Sequence, residues 1–218
     1  MQIVWHGHSL FHITTTSQKN SPVGIVIDPF DKNTGLRVPK LEADILLVTH
    51  QHHDHNNIKA VSGNPFLIEG SGEYEVKKVF VQGIPSFHDN LQGEKRSTNT
   101  IYVINTEELR LCHLGDFGQN ELTEEQLEKI GGVDILMIPV GGTYTIGAKE
   151  ASKIILQLEP RITIPMHYAL PKLKFKLESL NKFLKLFKIE SLTPIKKLSI
   201  KKRDLTSDEA KIVILEKK

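Results

Sequence analysis

The sequence predicts an α/β fold (α+β by some schemes), with strands covered by helices, and three observations point there. Two continuous apolar runs, Ala43–Val48 and Asp134–Val140, read as strands buried on both faces. Two segments, Thr123–Ile130 and Ala148–Leu158, carry helix signals. The residues able to do chemistry fall just past the carboxyl ends of apolar strands, where α/β sheets place their sites.

Taken in order, Ile3-Val4-Trp5 and Leu10-Phe11-His12-Ile13 read as short strands separated by Gly7 and Ser9. Gly24–Ile27 is a β-branched run that stops at Asp28-Pro29, since proline cannot donate to a ladder. The 43–48 strand runs directly into a histidine cluster. Strands at 66–68, 79–81, 101–104 and 109–114 follow, the last opening into Gly115-Asp116-Phe117-Gly118. Thr123 caps a helix with acidic residues in its first turn, and Gly131-Gly132 closes it. The helix at 148–158 ends before Pro160, and Ile162–Pro165 is a strand delivering Met166-His167-Tyr168. Leu177, Leu180, Leu184 and Phe187 recur at helical spacing, which predicts a helix over 175–188, and 211–215 is a last strand.

At 218 residues, 39% apolar and 25% charged, the chain is long enough for a sizeable core and ordinary for a globular protein. No apolar run approaches the roughly 20 residues of a membrane span, and the start lacks signal-peptide features. A single cysteine, Cys112, makes no internal disulfide and reads as a small buried hydrophobe, so a cytoplasmic address is expected. The net charge of +2 hides a polarity: segment 172–203 holds eleven Lys or Arg against two Glu, leaving the rest acidic. That segment either faces water or meets anionic partners, nucleic acid among them.

Four of the ten histidines lie within six residues, in Thr49-His50-Gln51-His52-His53-Asp54-His55. Imidazole and carboxylate without thiolate suit zinc, iron or manganese in an open site. In an extended turn His50 and His52 point the same way. Where the chain then bends into a helix, Asp54 and His55 aim at a second point. Each metal is short of ligands, and His88, Asp116 and His167, each on a loop after a strand, are the candidates to complete them.

This segment resembles the His-x-His-x-Asp-His signature of the metallo-β-lactamase superfamily, and the other marks of that family follow in order. Asp28 in Ile-Val-Ile-Asp-Pro is similar to the early aspartate that orders the metal loop. His88 matches the third-ligand histidine, Asp116 the bridging carboxylate and His167 the last ligand. The resemblance implies a four-layer αββα sandwich formed by one domain, residues 1–218, with two similar halves at roughly 1–95 and 96–218. It implies one site of His50, His52 and His88, a second of Asp54, His55 and His167, and Asp116 shared. Gly7-His8-Ser9, Ser97–Tyr102 and Pro139–Ile146 are most similar to a small branch near the ascorbate-6-phosphate lactonase type.

The implied activity is hydrolysis of an ester, lactone or phosphodiester in a small, anionic substrate. Two divalent ions, zinc first and Mn2+, Fe2+ or Ni2+ as alternatives, would supply hydroxide at neutral pH. Asp54 and Asp116 are the catalytic carboxylates in that reading. Asp28 is the first choice for orienting a ligand imidazole. His8 and His113 sit in the site or beneath it as hydrogen-bonded structural residues. Arg96 binds an anion or is solvated, and Tyr144 and Tyr168 either donate to an oxyanion or pack. Gln51 and His53 read as spacers, with proton shuttling the other role for His53, while His6 and His12 are assigned no chemistry. Two further classes stand beside the hydrolase: a nuclease or nucleic-acid binder using 172–203, and a non-catalytic metal-binding protein.

Overall fold

A computed structural model describes residues 1–16, 21–205 and 210–218. The strands in the first part of the chain are β1 (Gln2–Gly7), β2 (Leu10–Thr16), β3 (Pro22–Ile27), β4 (Leu41–Glu42), β5 (Ile45–Leu47), β6 (Val61–Ser62) and β7 (Phe66–Ile68). Next come β8 (Gly72–Val76), β9 (Val79–Phe87), β10 (Thr98–Thr106) and β11 (Leu109–His113). The remainder is α1 (Glu124–Ile130), β12 (Ile135–Pro139), α2 (Ala148–Leu158), β13 (Ile162–Met166), α3 (Leu180–Leu186), β14 (Leu198–Ser199) and β15 (Lys211–Ile212).

The strands form two large sheets, ordered β14-β1-β2-β3-β5-β7 and β15-β13-β12-β11-β10-β9-β8. Each has an antiparallel stretch leading into parallel strands: β3, β5 and β7 in one, β11, β12, β13 and β15 in the other. Three of the parallel strands, Ile45–Leu47, Ile135–Pro139 and Ile162–Met166, are almost wholly apolar and buried at every residue, because both faces are covered.

Between the sheets lies one core, with Trp5, Phe11, Ile13, Tyr102, Ile104 and Leu111 among its members. Burying a side chain of this size stabilises by roughly 1.5–3 kcal/mol. Tyr102 adds a polar tie, since its hydroxyl reaches Val48 O at 2.9 Å and Ile68 O at 3.1 Å just past the ends of β5 and β7. Ile130, Ala151, Ile154 and Phe183 bring the helices onto the same core. The other face of the first sheet is covered differently. Leu10, Val26 and Leu46 pack with Phe30, Leu36, Leu41, Ala43 and Val61. Among the described residues that outer layer contains two 3-10 turns (32–34 and 58–60) and the β4–β6 pair, and no α-helix precedes α1.

Helix ends follow the sequence signals. Thr123 Oγ1 accepts from Gln126 N while the Gln126 side chain accepts from Thr123 N, a reciprocal cap. Gln126 also donates to Pro85 O, docking α1 on β9. Helix α2 stops at Glu159, whose φ is +45°, immediately before Pro160.

Several expectations are corrected. The 43–48 strand pairs only over 45–47, the 109–114 strand ends at His113, and the 211–215 strand covers Lys211–Ile212. The 79–81 strand extends to Phe87, and β8 is additional. The helix expected over 175–188 is Leu180–Leu186 alone. Residues before it use their backbone sideways: Lys174 N donates to Thr34 O, Glu178 N to Gly141 O, and Ala169 N to Glu178 O. Those bonds, with Phe175 seated against His8 and Tyr144, replace the local helix. Likewise 54–55 does not enter a helix but a tight turn, with His55 N and Asn56 N both donating to His52 O. No helix among the described residues is long and apolar enough to cross a membrane.

Candidate metal centre

Loops at one end of both sheets converge. From the first sheet come His8 (the β1–β2 turn), Asp28 (after β3) and His50–His55 (after β5). From the second come His88 (after β9), Asp116 (after β11) and His167 (after β13). His8, Asp28 and His167 all have φ near +52°, a strained setting for non-glycine residues that turns each side chain sharply at a strand end.

Asp116 is the hub. Its carboxylate lies 3.2 Å from His55 Nε2, 3.2 Å from His88 Nε2, 3.3 Å from His167 Nε2 and 4.0 Å from His50 Nε2. Two facing groups of possible ligand atoms surround it: His50, His52 and His88 on one side, and His8, Asp54, His55 and His167 on the other. His50 Nε2, His55 Nε2 and Asp116 Oδ1 are buried without hydrogen-bond partners. Imidazole nitrogens and carboxylate oxygens that face one another in a dry interior without hydrogen-bonding are satisfied by a cation that accepts their lone pairs. The donor set therefore fits a metal.

Asp28 fixes the orientation of two imidazoles. Its carboxylate accepts from Thr49 N (2.8 Å) and Thr49 Oγ1 (2.7 Å), and contacts His55 Nδ1 at 2.9 Å. Because the Thr49 hydroxyl gives its proton to Asp28, it receives one from His50 Nδ1, 3.0 Å away. Both rings thus carry hydrogen on Nδ1 and turn Nε2 towards Asp116, which is how ligand histidines are set.

Asn99 does the same for the hub. Its Oδ1 accepts from Asp116 N at 2.9 Å, and its amide donates to Ser86 Oγ and Leu114 O. Gly115 makes this approach possible: its φ is +57°, and a Cβ there would overlap Asn99 Oδ1 and stand 2.8 Å from the Thr49 side chain. Gly118 similarly abuts the His88 carbonyl. Sequence reasoning missed the role of Asn99; its place at the amino end of β10, just before the apolar run Ile101–Ile104, was the available signal.

His8 lies closer to the centre than its sequence context suggests. It is fully buried, its Nε2 is 3.1 Å from Asp54 Oδ2, and its ring lies tilted 4.2 Å from that of His167. Burial, then the neighbouring His167, pushes its pKa down to about 4. Burial and the adjacent His55 likewise hold His50 well below the ordinary value. His55 moves the other way: burial opposes its charge, but Asp116 and Asp28 outweigh that and raise it. Asp116 is held low despite burial, by His167 and His55.

The remaining candidates lie further out. His113 donates to Ser9 O through Nε2 and accepts from Gly115 N at Nδ1, a structural brace beneath the hub. Tyr168 is buried against Trp5, ring centres 5.1 Å apart. Gln51 bonds Glu69, and the His53 side chain is 58% exposed. Tyr144 lies under the Arg96 guanidinium, 4.8 Å from its ring centre, and both line a cavity of about 220 Å³ with His88. Arg96 also lines a second cavity of about 410 Å³ that contains His50 and His52. A further cavity of about 880 Å³, lined by Asp134 and Phe187 among others, includes none of the histidines.

A family model described as a beta-lactamase superfamily domain matches residues 2–167. A UPF0173 metal-dependent hydrolase of Thermococcus onnurineus is 30% identical over 74% of this chain and 82% of its own. A crystal structure from Thermotoga maritima, of a candidate Zn-dependent hydrolase of the metallo-beta-lactamase superfamily, is 35% identical with a TM-score of 0.77, covering 98% of this chain and 97% of the other. A metallo hydrolase of Ignicoccus hospitalis shares the fold at 18% identity, TM-score 0.64, over 92% of this chain and 99% of the other.

Proposed function

The chain belongs to the metallo-β-lactamase superfamily, and from that membership we propose that it is a dinuclear, zinc-first hydrolase acting on an ester, lactone or phosphodiester of a small anionic substrate. The observation that carries this is the convergence of four imidazole Nε2 atoms on Asp116, with buried polar atoms left unbonded. His50, His52 and His88 would hold one ion, Asp54, His55 and His167 the other, and Asp116 both. Such ions supply a nucleophilic water at neutral pH and offset charge on the attacked oxygen.

The chain's own residues do the rest. Asp28 and Thr49 keep the His55 and His50 lone pairs aimed inwards. Asp54, partly exposed and braced by His8, is placed to accept a proton from the attacking water. Arg96 and the Tyr144 hydroxyl face the cavity beside His88 and would hold the substrate's charged and developing oxyanions. Residues 1–218 are taken to act as one domain, supported by the core shared between the sheets.

The test is metal analysis of purified protein followed by a panel of phosphodiester, lactone and ester substrates. About two equivalents of metal, and hydrolysis abolished by His52→Ala, are expected. Less than half an equivalent, with His52→Ala changing nothing, would sink the proposal. Within the basic segment Lys182 pairs with Glu178 and Lys202 with Asp134.

A further inference from the structure

We propose that Asp89 is a positioning residue: its carboxylate folds the 89–96 loop so that Arg96 stands between the two cavities flanking the histidine cluster and grips an anionic oxygen group of the substrate. This rests on the hydrolase reading and adds to it a recognition element.

Asp89 follows His88 directly and is buried. Its Oδ1 accepts from Leu91 N (2.8 Å) and Gly93 N (2.9 Å), and its Oδ2 from Lys95 N (3.0 Å) and Arg96 N (2.8 Å). Four backbone amides thus point at one carboxylate, and both oxygens are used by the loop itself. Only a group with two acceptor oxygens satisfies all four; an amide would set its NH2 against two N–H donors. The loop then closes on its origin, Ser97 N donating to Gly93 O and His88 N to Ser97 O. A tight loop with its own carboxylate hub gives Arg96 a fixed root one turn from a candidate ligand.

The Arg96 side chain is left open for recognition. No carboxylate pairs with it among the described residues; its contacts are the Tyr144 ring and a 3.5 Å approach of Nη2 to Thr143 O. A half-buried guanidinium with most of its five donors unspent matches a carboxylate or phosphate in two-point fashion. Its place on the walls of both cavities puts that grip beside His88, His50 and His52 at once.

The experiment compares p-nitrophenyl acetate with p-nitrophenyl hemiglutarate, which carries a free carboxylate, and measures binding of inorganic phosphate by calorimetry. Arg96→Met should cut the preference for the anionic ester by about 10–100-fold, the loss of a charge-assisted two-point contact. Asp89→Asn should cut it in the same sense while metal content stays at the parent level, and Arg96→Lys should restore part of it. Lys95→Met, an exposed cation in the same loop, should leave the preference unchanged. A loss confined to phosphate affinity assigns the grip to phosphate, and one confined to the hemiglutarate assigns it to carboxylate. The inference is overturned if Arg96→Met alters neither, or if Asp89→Asn slows both esters equally. Absence of metal and of any hydrolysis would instead remove the hydrolase reading, and the phosphate titrations would still decide the role of Arg96.

Discussion

The two sides of the histidine cluster are built from the same side chain and differ in what encloses it. His50, His52 and His88 border open cavities, and His52 is partly exposed. His8, His55 and His167 are shut in, with Phe175 packed edge-on against His8. The closed side also has Asp28 in direct contact with His55, where the open side's His50 is reached from Asp28 only through Thr49, and the strained backbones of His8, Asp28 and His167. The difference separates two settings: the closed side is dry and braced, and the open side borders cavities that reach solvent.

The hub shared by both sides gives the largest expected effect. Asp116→Ala should bring metal content below one equivalent and lower kcat/KM by at least ~10³-fold, since metal assistance is worth several kcal/mol. Retention of two ions would break the idea of a common hub. Asp28→Asn comes next. It should weaken metal binding about 10–100-fold in chelator competition, the usual cost of losing an outer hydrogen-bond partner of a ligand histidine. If the weakening fell on the open side alone, the assignment of Asp28 to the closed side through His55 would be wrong.

His8→Gln should be milder, a drop within about tenfold in the affinity of the second ion bound, with the first unaffected. Equal loss of both ions in a stoichiometric titration would erase the distinction between the sides. The smallest effect concerns a histidine outside the cluster. Burial, then His12, Lys218 and Lys217, hold His6 down to about 4 from 6.5. Its neutral form is favoured by folding, so between these values the unfolded chain binds more protons. The stability it contributes is complete above pH 6.5 and lost as pH falls towards 4. His6→Gln should therefore shrink the acid-side fall in Tm by about 2–4 °C, the shift that ~1 kcal/mol produces at this chain length. An unchanged slope in thermal melts from pH 7 to 4 would place the acid sensitivity in the cluster instead.

Much of the architecture was legible because it is written locally. Helix α2 came out with the expected bounds, since its buried positions recur on one face and Pro160 fixes its end. The Thr123 cap was equally plain. The 175–188 helix failed for the opposite reason: helical spacing is a weak signal when distant backbone groups, Thr34 O and Gly141 O, compete for the same amides. β8, polar and half-exposed, had no apolar pattern to announce it.

For the site, residue types in sequence singled out His50, His52, Asp54, His55, His88, Asp116 and His167, and the fold brings all seven to one end of the two sheets. Ligand chemistry is a property of side chains, so the chain alone could nominate them. Distance and orientation are not. That His8 meets Asp54, that Asn99 holds the Asp116 amide, and that Arg96 borders two cavities depend on contacts across 46, 17 and 47 residues. Such contacts exist only once the strands of each sheet have paired, and those of Asp116 with His50 and His55 only once the two sheets have packed, because the apolar core sets the loops' separation and no local rule encodes it. The sequence by itself determined which groups could bind a metal and which strands would carry them. Tertiary structure decided which of those groups are dry, which are braced, and which border open cavities.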